Sequence, residues 1–214
     1  MRTQSLKMLA YNEIKSRIVE GIYKPGDFLN EKAIADGINV SRTPVREAIV
    51  ALERENLVRV VPKRGVMVCD ITAQDVLEAY QVRELVEPYI IRAFGPLVEK
   101  ERLKEFFKEK FESDISDENI KEMNVWDDEF HIVLSNACPN RYIQSMLKEI
   151  HIQNYRIRML TNIEPARLEI SSREHLEVIN YMLEDNFEKA ACSMVEHLKA
   201  GKQATVMRLS RAYI

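Results

Sequence analysis

The sequence predicts a mainly α-helical protein with two domains, a small helical unit that carries a β-hairpin and an all-α bundle. Three helical stretches precede two short β-branched runs in residues 1–70, whereas no strand alternation interrupts the helical pattern of residues 71–214. The charge divides at the same place: residues 1–69 carry 12 Lys/Arg and 8 Asp/Glu, and the remainder carries 19 and 26. A basic module joined to an acidic body favours a nucleic-acid-binding unit at the N-terminus.

The composition is that of a folded globular protein. Of 214 residues, 46% are hydrophobic and 30% charged, and 6 Gly and 7 Pro leave little room for disordered or collagen-like segments. No run approaches the about 18–20 uncharged apolar residues that span a membrane, and the first residues lack the apolar core of a signal peptide, so we expect a cytoplasmic protein. Cys69, Cys138 and Cys192 lack a C-x-x-C spacing, so we expect small buried side chains rather than disulfides or zinc ligands.

Helical spacing of apolar residues places three helices in the first domain. They are predicted at about residues 5–20, 31–36 and 43–56. Gly21 ends the first helix, and Asn30 can cap the second after a Pro-Gly turn. The third helix starts with a hydroxyl cap, Ser41 or Thr43, and has Pro44 in its first turn, where the missing N–H costs little.

Two β-branched runs, at residues 57–61 and 66–68, predict short strands. Between them lies the turn sequence Pro62-Lys63-Arg64-Gly65, so the pattern is that of a hairpin with two cations at its tip. Three helices followed by a basic hairpin describe a winged helix-turn-helix domain, which we place at residues 1–70.

The second domain, residues 71–214, is predicted to be a bundle of six helices. Thr72 and Asp75 form a capping box that opens a helix to about residue 94, where Gly95 and Pro96 end it. The next helix is predicted to end near residue 112, and the other four are predicted at about 117–137, 140–162, 165–184 and 186–212. The breaks between them lie at residues 113–114, 138–140, 164–165 and 185–186.

The start of the third helix has the residue types that a DNA-reading helix needs. Duplex DNA presents phosphates to cations and backbone N–H groups, and its major groove admits one helix. Arg42 and Arg46 project from one face, and the hydroxyls of Ser41 and Thr43 suit a phosphate. The cations of the hairpin tip suit the DNA backbone or the minor groove. The alternative is a helix with a solvated basic face.

These residues belong to a longer pattern that resembles the N-terminal domain of GntR-family transcription regulators. It runs through the segments IKSRIVEG, PGDFLNE, VSRTPVREA and PKRG. In that family the start of the recognition helix, a cation of the preceding helix and the wing tip contact the operator. Carried over by position, the DNA-contacting residues are Lys32, Ser41, Arg42, Thr43, Arg46, Arg64 and Gly65, and Lys63 joins them as the second cation of the wing tip.

Three of the four histidines occupy positions that can bring them together. Asp127 and His131 lie at i and i+4 on one predicted helical face, whereas His175 and His197 lie on the last two predicted helices. Neighbouring antiparallel helices can combine a carboxylate with three imidazoles, and these ligands suit zinc, nickel, manganese or iron. By spacing alone, ordinary surface or core histidines remain the alternative.

The second domain is similar to the FCD ligand-binding domain of the FadR subfamily of GntR regulators. The similarity is carried by Asp127-x-x-Phe130-His131, Asn140, Glu174-His175 and His197-Leu198. Many such domains hold a metal with one Asp and three His. The resemblance therefore implies a divalent ion, zinc, nickel or manganese, on Asp127, His131, His175 and His197, and six helices resemble the VanR-like group.

An ion that accepts six ligands and has four from the protein leaves room for a carboxylate oxygen, so we expect a small organic acid as effector. Arg83 resembles a family arginine that faces the cavity, and it could clamp a second carboxylate. The alternative for Arg83 is an ion pair with Glu87 on the same helix. Arg156 and Arg158 are further candidates for the effector site.

The resemblance implies a ligand-responsive transcription regulator, a repressor that acts as a homodimer on palindromic operator DNA and has no membrane partner. Effector binding near the metal would change the spacing of the two recognition helices. Two alternatives stay open. One is an enzyme in which the metal activates water for hydrolysis, and the other is a regulator whose metal is structural or is itself the signal.

Overall fold

The computed structural model describes residues 2–112, 120–161 and 165–212. The chain divides into two compact units, Met1–Ile71 and Thr72–Ile214. Both units are mainly α-helical, as the sequence predicts, and the first adds a small sheet. The predicted breaks at residues 113–114 and 164, and the predicted helix ends at residues 117 and 162, lie outside the described residues. None of the described helices combines the length and the apolar character needed to cross a membrane.

The first unit is the predicted winged helix-turn-helix, with one additional strand. Its helices are α1 (Arg2–Val19), α2 (Glu31–Gly37) and α3 (Arg42–Arg54), and its strands are β1 (Phe28–Leu29), β2 (Val58–Val61) and β3 (Gly65–Val68). The strands pair antiparallel in the order β1-β3-β2, with Val60 opposite Val66 across the hairpin. The sequence analysis did not anticipate β1, because two residues are too few to show an alternating pattern.

Polar residues occupy the N-cap positions of two helices in this unit, and one of them makes capping hydrogen bonds. The Asn30 side chain accepts hydrogen bonds from the backbone N–H groups of Lys32 and Ala33, as predicted. Ser41, one of the two predicted start residues, occupies the N-cap position of α3, but its hydroxyl makes no capping hydrogen bond. The buried face of α3 packs against α1 and the sheet around a core of Ala10, Ile14, Val45, Leu52 and Leu57.

The second unit is helical throughout its described residues. Its helices are α4 (Ala73–Phe94), α5 (Glu109–Glu112), α6 (Ile120–Asn136), α7 (Arg141–Thr161), α8 (Pro165–Leu183) and α9 (Phe187–Ala212). A 3₁₀ turn, Gly95–Leu97, follows α4, and Arg102–Lys108 is π-helical where the sequence predicts a regular helix. The long helices α4 and α9 pack against each other, and α8 packs against α9.

Local signals account for the ends of α4. Thr72 and Asp75 form the predicted capping box, with each side chain bonded to the backbone N–H of the other residue. At the other end, a Cβ at position 95 would overlap the ring of Phe187, so only glycine allows this close approach to α9. The cysteine expectation holds for Cys138, which is buried, but Cys69 is half-buried and Cys192 is exposed.

Candidate functional site

The eight residues predicted to contact DNA are all exposed. They lie at three places in the first unit. Lys32 is in the first turn of α2, Ser41, Arg42, Thr43 and Arg46 are at the start of α3, and Lys63, Arg64 and Gly65 form the hairpin tip. The fold therefore presents the predicted set to solvent and buries the apolar positions between them.

An ion pair holds the first turns of α2 and α3 together. Arg46 Nε donates to Glu31 Oε2 at 2.8 Å, and the Arg46 side chain is 67% exposed. The other end of α3 contacts the hairpin, where Val60 N donates to Glu53 Oε1 at 3.0 Å. The C-terminal end of α3 is thus bonded to the hairpin, while Arg42 and Arg46 at its start are exposed.

The hairpin tip has an uncommon backbone conformation. Lys63 has φ 63° and Gly65 has φ 113°, both in the region that favours glycine. Arg64 N donates to Val61 O at 3.0 Å, which closes the turn, and the Arg64 guanidinium lies 4.9 Å from the centre of the Phe28 ring. The missed strand β1 thus supports one of the two wing cations.

The three histidines predicted as metal ligands meet inside the second unit. The Nε2 atom of His175 lies 3.2 Å from that of His131 and 3.1 Å from that of His197, and the remaining pair is 3.3 Å apart. We call this cluster the histidine triad. Its members come from α6, α8 and α9 and are all buried.

Carboxylates orient two rings of the triad. His131 Nδ1 donates to Glu87 Oε2 at 2.8 Å, and His197 Nδ1 donates to Glu174 Oε2 at 2.8 Å. A ring that carries its proton on Nδ1 directs the lone pair of Nε2 into the triad. Sequence reasoning did not identify Glu87 or Glu174 in this role, because both contacts depend on how the helices pack.

The electrostatics of the triad favour neutral imidazoles. Burial lowers the pKa of His197 to about 4 and holds the pKa of His131 and of His175 below the ordinary value for histidine. Burial by itself would raise the pKa of Glu87, but Arg83 and His131 hold it below its ordinary range. The rings are therefore neutral and their carboxylate partners ionised near neutral pH, which is the state that binds a metal.

The donor set fits a divalent metal ion. Three nitrogens at about 2.0–2.1 Å from one zinc or nickel ion lie roughly 3–3.4 Å apart when the bond angles are near 90–110°. The observed separations of 3.1–3.3 Å fall in this range. The Nε2 atoms of His131 and His197 present lone pairs to each other at 3.3 Å. A cation bound between them would stabilise this arrangement.

His175 is held differently from the other two ligands. Its Nδ1 is buried and has no hydrogen-bond partner among the described residues. The centres of the Phe111 and Phe130 rings lie 4.7 Å and 4.9 Å from the centre of its ring. Packing, not a carboxylate, therefore fixes the orientation of this imidazole.

Asp127 lies at the edge of the triad. Its Oδ1 is 3.6 Å from His175 Nε2 and accepts a hydrogen bond from Ser171 Oγ at 3.1 Å. Its Oδ2 contacts the guanidinium of Arg158, which also contacts Asp128. The structure thus brings the three predicted histidines together and places the predicted aspartate beside one of them, in an ion pair.

A pocket next to the triad contains most of the predicted effector residues. Arg83, Asp127, Arg158 and His197 line it. Arg83 Nε donates to Glu87 Oε1 at 2.6 Å, so the ion pair within α4 exists, but Arg83 Nη2 has no hydrogen-bond partner among the described residues. Burial lowers the pKa of Arg158 to about 9, which leaves this side chain a cation at neutral pH.

Arg156, the remaining predicted effector residue, is not among the residues that line this pocket. It is buried, and its Nη1 donates to Gln153 Oε1 at 2.8 Å. Arg167 and Arg208 do line the pocket, although the sequence analysis did not select them. Arg167 is eight residues before His175, and Arg208 is eleven residues after His197. These spacings could have indicated both arginines, since they keep residues on similar sides of a helix.

Two family models match the chain and cover both units. The model of the bacterial regulatory proteins of the gntR family matches residues 7–68, and the FCD domain model matches residues 78–200. The FCD match alone covers more than half of the chain.

Relatives and solved structures agree with these matches. The HTH-type transcriptional regulator YdhC of Bacillus subtilis is 28% identical over 87% of this chain and 85% of its own, and the HTH-type transcriptional repressor RspR of Escherichia coli is 23% identical over 92% and 87%. The crystal structure of a GntR transcriptional regulator of Rhodococcus sp. RHA1 has the same fold, with a TM-score of 0.82, 20% identity and 95% and 98% of the two chains covered. These relatives are transcriptional regulators and not enzymes, and the chain belongs to the GntR family of bacterial transcriptional regulators, with an FCD domain after its DNA-binding domain.

Proposed function

We propose that this protein is an effector-controlled repressor of the FadR subfamily, VanR-like group, that binds palindromic operator DNA as a homodimer. Its C-terminal domain would bind a divalent ion, zinc, nickel or manganese, and a small organic acid next to that ion. The observation that carries this proposal is the histidine triad, three buried neutral imidazoles whose Nε2 atoms converge within 3.3 Å of one another.

The start of α3 is proposed as the DNA-reading element. Its exposed residues Arg42 and Arg46 offer two guanidinium groups, and the Ser41 hydroxyl makes no bond within the helix cap. Such a helix start favours a phosphate through its N–H groups and dipole, while the arginines can reach base edges. Lys32 and the wing tip would add contacts to the DNA backbone on either side.

The DNA-binding proposal is tested with Arg46→Ala. Duplexes enriched from a random pool by the unaltered protein supply the probe, and a gel-shift titration measures affinity. We expect Arg46→Ala to lose specific binding while its circular dichroism spectrum is unchanged, because the side chain is 67% exposed and its ion pair with Glu31 lies at the surface. Arg54→Ala, exposed at the other end of α3, is the control and should bind normally. Unchanged affinity of Arg46→Ala would contradict the proposal.

In the C-terminal domain, His131, His175 and His197 are proposed to hold the ion, with Asp127 as the fourth ligand. The ion would supply a Lewis-acid position for a carboxylate oxygen of the effector. Asp127 lies beside His175 and is shared with Arg158, so this arginine would keep the aspartate ionised and oriented.

Arg83 is proposed as an effector-binding residue of the pocket. Glu87 engages its Nε and leaves Nη2 without a hydrogen-bond partner among the described residues. A buried donor without a partner carries a desolvation cost, which an anionic ligand would relieve. The same carboxylate of Glu87 orients His131, so effector and ion would share one buried network.

The effector proposal is tested by thermal unfolding with small mono-, di- and hydroxycarboxylates, before and after chelation. A ligand at a hundredfold excess over its Kd stabilises the native state by about 2.7 kcal/mol, which is easily seen. We expect at least one acid to stabilise the metal-loaded protein and to lose its effect after chelation, and that acid should change operator affinity. If no acid acts and chelation alone destabilises the protein, the metal is structural or is the signal.

A further inference from the structure

Two polar side chains of α7 are buried, and the candidate metal site does not use them. His151 is 5% exposed and Asn154 is 1% exposed. They lie on the same side of the helix as Arg158, since the three positions are separated by three and four residues. Buried polar atoms are almost always hydrogen-bonded, so each one without a partner calls for an explanation.

Two contacts fix how this side of α7 lies against α6. His151 meets Ser135, with Nε2 and Oγ 2.9 Å apart, and Arg158 contacts the carboxylate of Asp127. Residue numbers rise along α7 and fall along α6 between these contacts, so the two helices are antiparallel. Asn154 lies between the contacts, one turn from each, and therefore level with the triad histidine of α6.

The hydrogen bonds of Ser135 show which nitrogen of His151 carries a proton. Ser135 Oγ donates its single proton to His131 O at 2.7 Å, so it accepts from His151 Nε2. Burial lowers the pKa of His151 to about 3, so the ring is neutral at neutral pH and its Nδ1 is a hydrogen-bond acceptor. This Nδ1 is buried, and no described residue donates to it.

The side-chain amide of Asn154 has a donor and an acceptor without partners. Neither Nδ2 nor Oδ1 is hydrogen-bonded within the part of the chain that the structure describes. Their burial carries a desolvation cost, which a bound molecule would remove. Two acceptors, His151 Nδ1 and Asn154 Oδ1, thus need a proton donor. An ionised carboxylate cannot satisfy them, because it has no proton to donate.

The surrounding charge favours a neutral proton donor over an ammonium group. Arg83 and Arg158 line the pocket next to the triad. Burial lowers the pKa of His151, and the Arg83 cation lowers it further against the opposing charge of Glu87, so His151 lies within electrostatic reach of Arg83. These cations would repel an ammonium group. A hydroxyl group is uncharged and both donates and accepts, which suits the acceptors and the amide donor together.

We propose that His151 and Asn154 form a hydroxyl-binding subsite, so that the effector is a hydroxy acid and not a plain carboxylic acid. This inference rests on the proposed function, since the carboxylate of the same molecule would bind at the ion and Arg83. The hydroxyl group donates to one of the two acceptors and accepts from Asn154 Nδ2. The subsite selects against an acid without the hydroxyl, because such an acid leaves the buried polar atoms unpartnered.

The test compares matched acids on the metal-loaded full-length protein by titration calorimetry. The pairs are lactate with propionate, malate with succinate, and 3-hydroxybutyrate with butyrate, so that the members of a pair differ by one hydroxyl group. We expect the hydroxy acid of at least one pair to bind about tenfold or more tightly. Equal binding within every pair would overturn the hydroxyl subsite while the effector site stands. If no acid binds at all, the proposed function is wrong and the subsite is wrong with it.

Two substitutions distinguish this subsite from a hydroxyl group that binds the ion. Asn154→Leu removes the amide at similar volume, and His151→Gln keeps a donor for Ser135 but lacks Nδ1. Each variant should bind the hydroxy acid about tenfold more weakly and leave the plain acid and the metal content unchanged. A hydroxyl preference that survives in either variant would overturn the subsite, since the hydroxyl then binds elsewhere. Asn136→Leu, the same change at an exposed position of α6, is the control.

Thermal unfolding without an acid separates a binding role from a structural one. Replacing an unpartnered buried amide by an apolar side chain of similar shape removes the cost of its burial. Asn154→Leu should therefore have a Tm equal to or above that of the wild-type protein. A fall in Tm of roughly 5 °C or more would show that the fold itself uses the amide, and the subsite would then be wrong.

Discussion

Glu87→Gln is the substitution that tests the buried network most sharply. Glu87 Oε1 accepts from Arg83 Nε at 2.6 Å and Oε2 accepts from His131 Nδ1 at 2.8 Å, and all three side chains are at most 2% exposed. Glutamine replaces one of these two acceptor oxygens with an NH2 group, so one of the two donors faces another donor, and the substitution removes the charge opposite Arg83. An uncompensated buried charge costs about 3–5 kcal/mol, which lowers the Tm of a unit of this size by roughly 10 °C or more.

Metal binding should weaken in the same variant. Removing the outer hydrogen-bond partner of a metal-binding histidine costs about 10- to 100-fold in affinity. Competition with a chromophoric chelator measures the affinity for nickel or zinc, and a thermal scan measures the Tm. Glu169→Gln, which changes a 57% exposed carboxylate on α8, should alter neither value. A folded Glu87→Gln protein with wild-type metal affinity would refute the role of Glu87 in orienting His131.

Three further outcomes are expected. Gly95→Ala should destabilise the protein by about 1–3 kcal/mol in urea unfolding, because the new Cβ overlaps the Phe187 ring. Gly37→Ala is the control and should not destabilise the protein, since a Cβ at position 37 meets nothing within 4 Å. Equal stability of the two variants would contradict the packing argument. Gly65→Ala should cost about 1 kcal/mol or more through backbone strain alone, since φ is 113° and its Cβ has open space, and a neutral result would show that the wing relaxes. Chelation should lower the Tm of the wild-type protein but not that of His175→Ala, and an equal drop in both would place the metal elsewhere.

Local sequence signals predicted most of the fold. Asn30, and Thr72 with Asp75, are capping residues whose effect depends only on neighbours in the chain, so the starts of α2 and α4 were predictable. Ser41 marks the start of α3 as well, but its capping hydrogen bond is absent, because a hydroxyl at an N-cap position need not turn toward the helix. Strand β1 was missed because its pairing with β3 is a tertiary interaction between segments about 40 residues apart.

The histidine ligands of the candidate metal site could be predicted from the sequence, but the residues that orient these ligands could not. A histidine can be recognised by its chemistry, so His131, His175 and His197 were candidates before their positions were known. Glu87 is 44 residues from His131, and nothing in the local sequence joins them. Arg208 lies at a helical spacing from His197 that could have indicated it, but whether a residue on that side of the helix lines a pocket depends on how the helices pack.

Glu174 shows why neighbours in sequence can mislead. It precedes His175, yet its carboxylate accepts from His197 Nδ1 on the next helix, since consecutive residues of a helix point about 100° apart. The triad therefore joins α6, α8 and α9 directly, and Glu87 adds α4. A ligand shifts a protein between two arrangements only by as much as its affinity for them differs. An effector that binds between these four helices would control DNA binding if the pocket differs in shape between a DNA-binding and a non-binding arrangement of the helices. The residues whose positions would differ between the two arrangements are those of this shared network.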